Sequence, residues 1–293
     1  DQTAPSSEID GKRPGVNTFP LLDESQINVI RVYEVDLTDP PKMVISKEAL
    51  ERFMTKFAGS RIEGGESIPT SDAGRQLYAR KKPAQVLDDM FTLRARDFYP
   101  EVKVMENPKS LQLFRDNVNR TWLVNSCATS RCHGGEAAGR LYLYDKRSTS
   151  DAAATTNFYI IDKFRMTGED GKTIGLIDFN EPANSPLLQM GLPRTEARFK
   201  HPEIEGKNRW KPVFRSTEDE RFRQAVDWIK ALYPKRVEYP IDYTPPKPPQ
   251  PLSQAKDGEQ APTQDSQPPA DKDGQSTGDN TVTPAPKREL QPR

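Results

Sequence analysis

Apolar positions along the chain come in blocks, and the spacing within each block predicts an element. Ile27, Val29, Tyr33 and Val35 fall on one side of an alternating pattern, which predicts a strand. Past the Pro40-Pro41 break, Ser46 stands as an N-cap ahead of a helix lined by Leu50, Phe53, Met54 and Phe57. A polar, Gly-rich stretch from Gly59 to Gly74 follows. Pro83 then opens a helix carrying Val86, Leu87, Met90 and Phe91. Val102 and Val104 predict a short strand.

Asn107-Pro108 predicts an N-cap and a first-turn proline for the next helix. Leu111, Phe114, Val118 and Trp122 recur along it at helical spacing, and it runs into Cys127. Further on, Ser216 and Thr217, with Asp219 and Glu220 three residues later, predict the cap of another helix. Its stripe is Phe222, Ala225, Val226, Ile229 and Leu232, and Tyr233-Pro234 stops it. Two amphipathic helices thus bracket everything between Cys127 and Pro212.

Both ends lack such patterns. Residues 1–26 predict a flexible arm, with Phe19, Leu21 and Leu22 as an anchor. From Thr244 to Arg293 there is no aromatic residue and no periodicity. That composition buries too little apolar surface to offset its ordering entropy. The expected division is an arm over 1–26, a small α/β unit over 27–106, a mainly α domain over 107–236 and a disordered Pro-rich tail over 237–293. The tail helps explain why the chain's hydrophobic fraction is only 34% and why it holds as many as 27 prolines.

Charge narrows the function. Lys plus Arg number 43 and Asp plus Glu 43, so no global field favours nucleic acid or an anionic membrane. No apolar run is long enough to cross a bilayer, so no transmembrane segment is expected. The numbering opens at Asp1 without Met, consistent with a processed, exported chain.

The chemistry concentrates in Asn125-Ser-Cys-Ala-Thr-Ser-Arg-Cys-His-Gly-Gly135, which holds both cysteines and one of two histidines. Three chemistries suit it. Cys127 and Cys132 can pair as a short disulfide in an oxidising compartment. A zinc ion can be shared with His201, although adjacent Cys132 and His133 are awkward for one tetrahedral ion. The third is covalent haem: two thiols attach to the porphyrin edge, and the next imidazole, His133, ligates iron. The order of residues favours the third. Four residues rather than the usual two separate the cysteines, giving a longer loop over the same span. Gly134 and Gly135 are expected to let the backbone pass close to the macrocycle.

An iron on His133 takes its sixth ligand from His201 or, alternatively, Met190. Met190 lies in Leu187-Leu-Gln-Met-Gly-Leu-Pro193 and also reads as a core residue. His201 lies in Phe199-Lys-His-Pro202. In a chain with two histidines it is the preferred partner.

Several phrases, in order, resemble the haem domains of planctomycete-type cytochromes c, exported monohaem domains often joined to other modules. They are Trp122-Leu to Cys127, Cys132-His-Gly-Gly135, Ala138-Gly-Arg-Leu141, Thr156-Asn-Phe158, Asn184-Ser-Pro-Leu-Leu188, Leu192-Pro193, His201-Pro202 and Val226-Asp-Trp-Ile229. The resemblance covers about Ser110 to Tyr233 and departs from the common form in its cysteine spacing. It implies a mainly α, cytochrome c-like domain and puts His201 at the position of the second iron ligand.

The function expected is therefore that of an exported, periplasmic or extracellular c-type cytochrome with one covalent haem c. It passes electrons to a redox partner protein, within a larger envelope complex. Arg131, Arg140, Lys200 and Arg215 are candidates to pair with haem propionates, and Trp122, Phe158 and Trp210 to pack on the ring. A haem peroxidase needs a distal base, which two ligating histidines leave unfilled. An extracellular interaction protein with a Cys127–Cys132 disulfide, binding through residues 27–105, is the remaining alternative.

Overall fold

The computed structural model describes residues 19–146, 150–168, 171–203, 210–233 and 238–249. The chain divides into two compact units, Asp1–Pro249 and Gln250–Arg293, and every described residue belongs to the first. The described residues form a mixed structure of helices and two small antiparallel sheets. Among the described residues no helix is long and apolar enough to cross a membrane.

Helix α1 (Glu24–Tyr33) occupies the segment expected as a strand. Asp23 starts it with a capping box: its carboxylate accepts from the Gln26 N–H while the Gln26 side chain accepts from the Asp23 N–H. The apparent alternation arises because α1 is apolar on two sides. Ile27 and Ile30 enter one hydrophobic cluster, whereas Val32 and Val35 enter the other. A helix buried on both sides has no single apolar stripe to betray its period.

The cluster that holds Val32 and Val35 gathers α2 (Lys47–Lys56), α3 (Asp72–Tyr78), α4 (Pro83–Thr92) and the sheet of β1 (Met43–Ile45) with β2 (Val102–Val104). As expected, Ser46 caps α2 through the Ala49 N–H, and Pro83 opens α4. Helix α3 starts inside the stretch read as polar, at the Ser71 cap, and runs past its end to Tyr78. In the sheet, Met43 pairs with Val104 and Ile45 with Val102. The Asn28 side chain closes the far edge of β2, donating to the Val102 carbonyl and accepting from the Val104 N–H.

The other cluster is built on α5 (Lys109–Leu113), which continues as a π-helix over Phe114–Cys127. Helix α6 (Asp151–Lys163), the hairpin of β3 (Arg165–Thr167) and β4 (Thr173–Gly175), α7 (Pro186–Gln189) and α8 (Glu220–Ala231) complete it. Phe114, Phe158 and Trp228 meet at its centre, with Phe114 4.9 Å from Trp228 and 5.6 Å from Phe158. Burying each such ring contributes on the order of 2–3 kcal/mol. An exposed ion pair such as Lys56–Asp97 contributes roughly 0–1. Packing, not surface charge, holds the two layers.

Local signals near these helices were partly displaced. Asn107 does not cap α5; the cap is Pro108, and Asn107 instead accepts from the buried Arg31 Nε at 2.7 Å. Arg31 also reaches Glu24 and Asp151, tying α1 to α6. Helix α8 starts after Asp219 rather than at Ser216, because the Asp219 carboxylate accepts from the Arg221 N–H. Asp219→Ala should therefore cost about 1 kcal/mol in a urea titration at neutral pH. The Arg221 guanidinium pulls the Asp219 carboxyl down to about 2, from an ordinary 3.8. A carboxyl with a depressed pKa stabilises above its unfolded value, so the gap between variant and parent should close as the pH falls from about 4 to about 2.

The ends are partly integrated. Residues 1–18 of the expected arm and 250–293 of the expected tail lie outside the described residues. Phe19 packs on Tyr142 and Tyr144, and the Leu22 N–H donates to Thr156 Oγ1. Tyr239, assigned to the tail, is buried and donates to Glu34 Oε1 at 2.7 Å. The Tyr243 hydroxyl donates to the Pro20 carbonyl. These aromatic rings supply the apolar area that the residues after them lack.

Candidate functional site

The π-helix delivers Cys127 at its last position, and the chain then folds back on itself. The His133 N–H donates to the Cys127 carbonyl at 2.9 Å, and the Cys132 and Gly134 N–H groups both donate to the Thr129 carbonyl. The residues between the cysteines are thus taken up in a turn that brings Cys132 and His133 back to the helix end. Both cysteines are free thiols. Burial, and secondarily the neighbouring Cys132, pushes the Cys127 thiol up to about 12, so it is protonated and weakly nucleophilic at neutral pH.

Within the loop, neither Gly134 nor Gly135 leaves room for a side chain. A Cβ on Gly134 would stand 2.3 Å from the Ala128 carbonyl oxygen, and one on Gly135 would stand 1.7 Å from that of Ser130.

After the loop, the segment 138–144 runs beside His133. The Leu143 N–H donates to the His133 carbonyl at 2.7 Å, and His133 Nδ1 donates to the Leu141 carbonyl at 3.0 Å. Asn157 of α6, wholly buried, holds this segment: it accepts from the Tyr144 N–H, donates to the Tyr144 carbonyl and donates to Asn119 Oδ1 on the π-helix. The sequence reading gave Asn157 no role. Its signal is an amide inside the apolar run from Ala153 to Ile161, where a buried polar group must find partners.

His201 arrives from the other side of the chain. Gln189, just before Met190, accepts from the Arg198 N–H at 2.8 Å and secures the segment that carries it. Arg194 Nη1 donates to the His201 carbonyl, and His201 Nδ1 donates to the Pro202 carbonyl at 2.8 Å. The His133 and His201 rings lie side by side in a T-shaped arrangement, with centroids 6.0 Å apart at 68°. A carbonyl only accepts, so each Nδ1 carries its hydrogen and, in the neutral ring, each Nε2 keeps its lone pair. Burial lowers the pKa of His201 and so favours the neutral ring; the Pro202 hydrogen bond opposes the shift, while the nearby His133 and Arg194 add to it.

The remaining candidates separate. Met190 is half-buried at the end of α7, its N–H bonded to the Pro186 carbonyl. Trp122 and Phe158 lie in the core, Trp122 against Phe214 and Phe158 against Phe114. Trp210 alone of the three aromatic candidates reaches a histidine, stacking on His201. Arg131, Arg140, Lys200 and Arg215 are exposed, and Arg140 lies over the Phe164 ring.

A polar cavity of about 360 Å³ lies elsewhere, between the end of α6 and the β-hairpin, and includes none of the cysteines or histidines. Among the described residues no three His, Cys, Asp or Glu side chains converge as a set that could hold a metal ion. The site brings together two imidazoles and, on one short loop, two free thiols. Comparison with known protein families, curated proteins and solved structures finds no match to this chain.

Proposed function

We propose that this chain is an exported c-type cytochrome that carries one haem and passes electrons to a partner protein. Cys127 and Cys132 would attach the haem, with His133 and His201 as axial ligands. The observation that carries the reading is the close pair of imidazoles, one of them on the loop of the two thiols. With a metal–nitrogen bond of roughly 2 Å on each side, two imidazoles sharing one ion stand about 6 Å apart centre to centre. The separation here is 6.0 Å. Both Nδ1 atoms are engaged by carbonyls, the usual way a protein fixes the tautomer of a metal-bound imidazole.

Bound there, haem supplies an iron that takes up and releases one electron. Two protein ligands would leave no open position for peroxide, and the chain's two histidines would both be spent, leaving none as a distal base. Imidazole on both faces favours a lower potential than imidazole with thioether. The Leu141 carbonyl holds the His133 ring, the Pro202 carbonyl fixes the His201 tautomer, and Asn157 holds the segment that carries Leu141. Little rearrangement is then required as the charge on iron changes. A cytochrome of this type would work in the periplasm or outside the cell, within a larger envelope complex.

The test is the visible spectrum of the full chain exported from a host competent in cytochrome c maturation. A sharp reduced α band that survives acid-acetone extraction is expected. A colourless protein without free thiols would establish the disulfide and end the haem reading.

A further inference from the structure

We infer that Trp210 is the positioning residue for His201, holding its imidazole in the orientation that presents Nε2 to His133; this rests on the haem reading above. His201 lies in the segment Phe199–Pro202, which forms no helix or strand. The contacts that secure this segment act on its backbone: Gln189 on the Arg198 N–H and Arg194 on the His201 carbonyl. The Pro202 carbonyl fixes the tautomer, but it belongs to the next residue and moves with the histidine.

The ring itself meets two side-chain rings. One is His133. The other is Trp210, whose indole lies 14° from parallel at 5.4 Å between centroids, a stacked arrangement. Trp210 is half-buried, and its stack covers the imidazole without using either nitrogen. It therefore constrains rotation of the ring while leaving Nε2 available. No core aromatic does this work, because Trp122, Phe158 and Phe214 pack among themselves and with other core rings.

An aromatic stack of this kind shifts an equilibrium by roughly two- to tenfold. In the haem-loaded full chain, Trp210→Ala should let cyanide compete with His201 two- to tenfold more effectively, whereas Trp210→Phe should restore the parent affinity. The midpoint of thermal unfolding should change little, which separates positioning from general destabilisation. Equal cyanide affinity in all three proteins would overturn the inference.

The full chain made without haem gives a second test. Proton NMR should show the His201 ring protons shifted upfield by the indole, and the shift lost in W210A. An unshifted His201 in the parent protein would also overturn the inference. A protein that shows the shift yet never acquires haem would sink the ligand role and the haem reading together, whereas a coloured protein with unaltered cyanide affinity would sink only the role of Trp210.

Discussion

His201→Ala is expected to convert the haem-loaded protein from a low-spin to a high-spin spectrum almost completely, while Met190→Ala leaves it low-spin. The expectation follows from what each side chain is doing. The His201 ring lies beside His133 with Nδ1 already bonded to the Pro202 carbonyl, so its Nε2 is the nitrogen left for a metal. Met190 closes a helix whose other residues, Pro186, Leu188 and Gln189, are buried, and Gly191 beside it lies tight against the Phe214 ring. Bringing the Met190 thioether to His133 would require unpacking that turn. Free imidazole should restore the low-spin spectrum of H201A, because the lost group is a ligand and not a structural prop. The reverse pattern, high-spin M190A with unchanged H201A, would exclude His201 as the axial ligand.

Gly135→Ala is expected to cost about 1–3 kcal/mol or more, the range for forcing atoms into a filled space. Its backbone, φ −133° and ψ −165°, is extended and open to any residue, so conformational freedom is not what glycine supplies. The added methyl would stand 1.7 Å from the Ser130 carbonyl oxygen, and backbone cannot swing aside as a flexible side chain can. The turn that returns Cys132 and His133 to the helix end would have to open. In the haem-free chain the variant should melt several degrees lower, and under maturation conditions it should incorporate much less covalent haem. Gly171→Ala is the control. Gly171 has φ +77° but nothing within 4 Å of its would-be Cβ, so backbone strain of roughly 1–2 kcal/mol is its only penalty. It should leave haem incorporation unchanged. Equal stability in G135A and the parent would mean that the loop is not packed as described.

Elements set by neighbours a few residues away were legible in the sequence. Ser46 caps α2, Pro83 opens α4, and Val102 and Val104 lie in β2, because caps, first-turn prolines and alternation act over one or two turns of chain. The same holds for the loop from Cys127 to Gly135, whose thiols and first histidine are contiguous. Where two local signals competed, local reasoning failed. Asn107 was taken by Arg31 from a distant helix, and Asp219 displaced Ser216 and Thr217 as the cap of α8.

What the sequence by itself determined is the set of chemical groups: two thiols and an imidazole on one turn, and a single other histidine. Tertiary structure decided that α1 is a helix, because burial between two clusters hides its period. It also decided where the groups meet. Asn157 anchors the segment that orients His133, Gln189 and Arg194 anchor the one that carries His201, and Trp210 covers that ring. The hydrogen bonds among these contacts span 7 to 13 residues, and no regular local repeat specifies them. The pairing of the two imidazoles is set by how distant segments pack, which residue order alone does not encode.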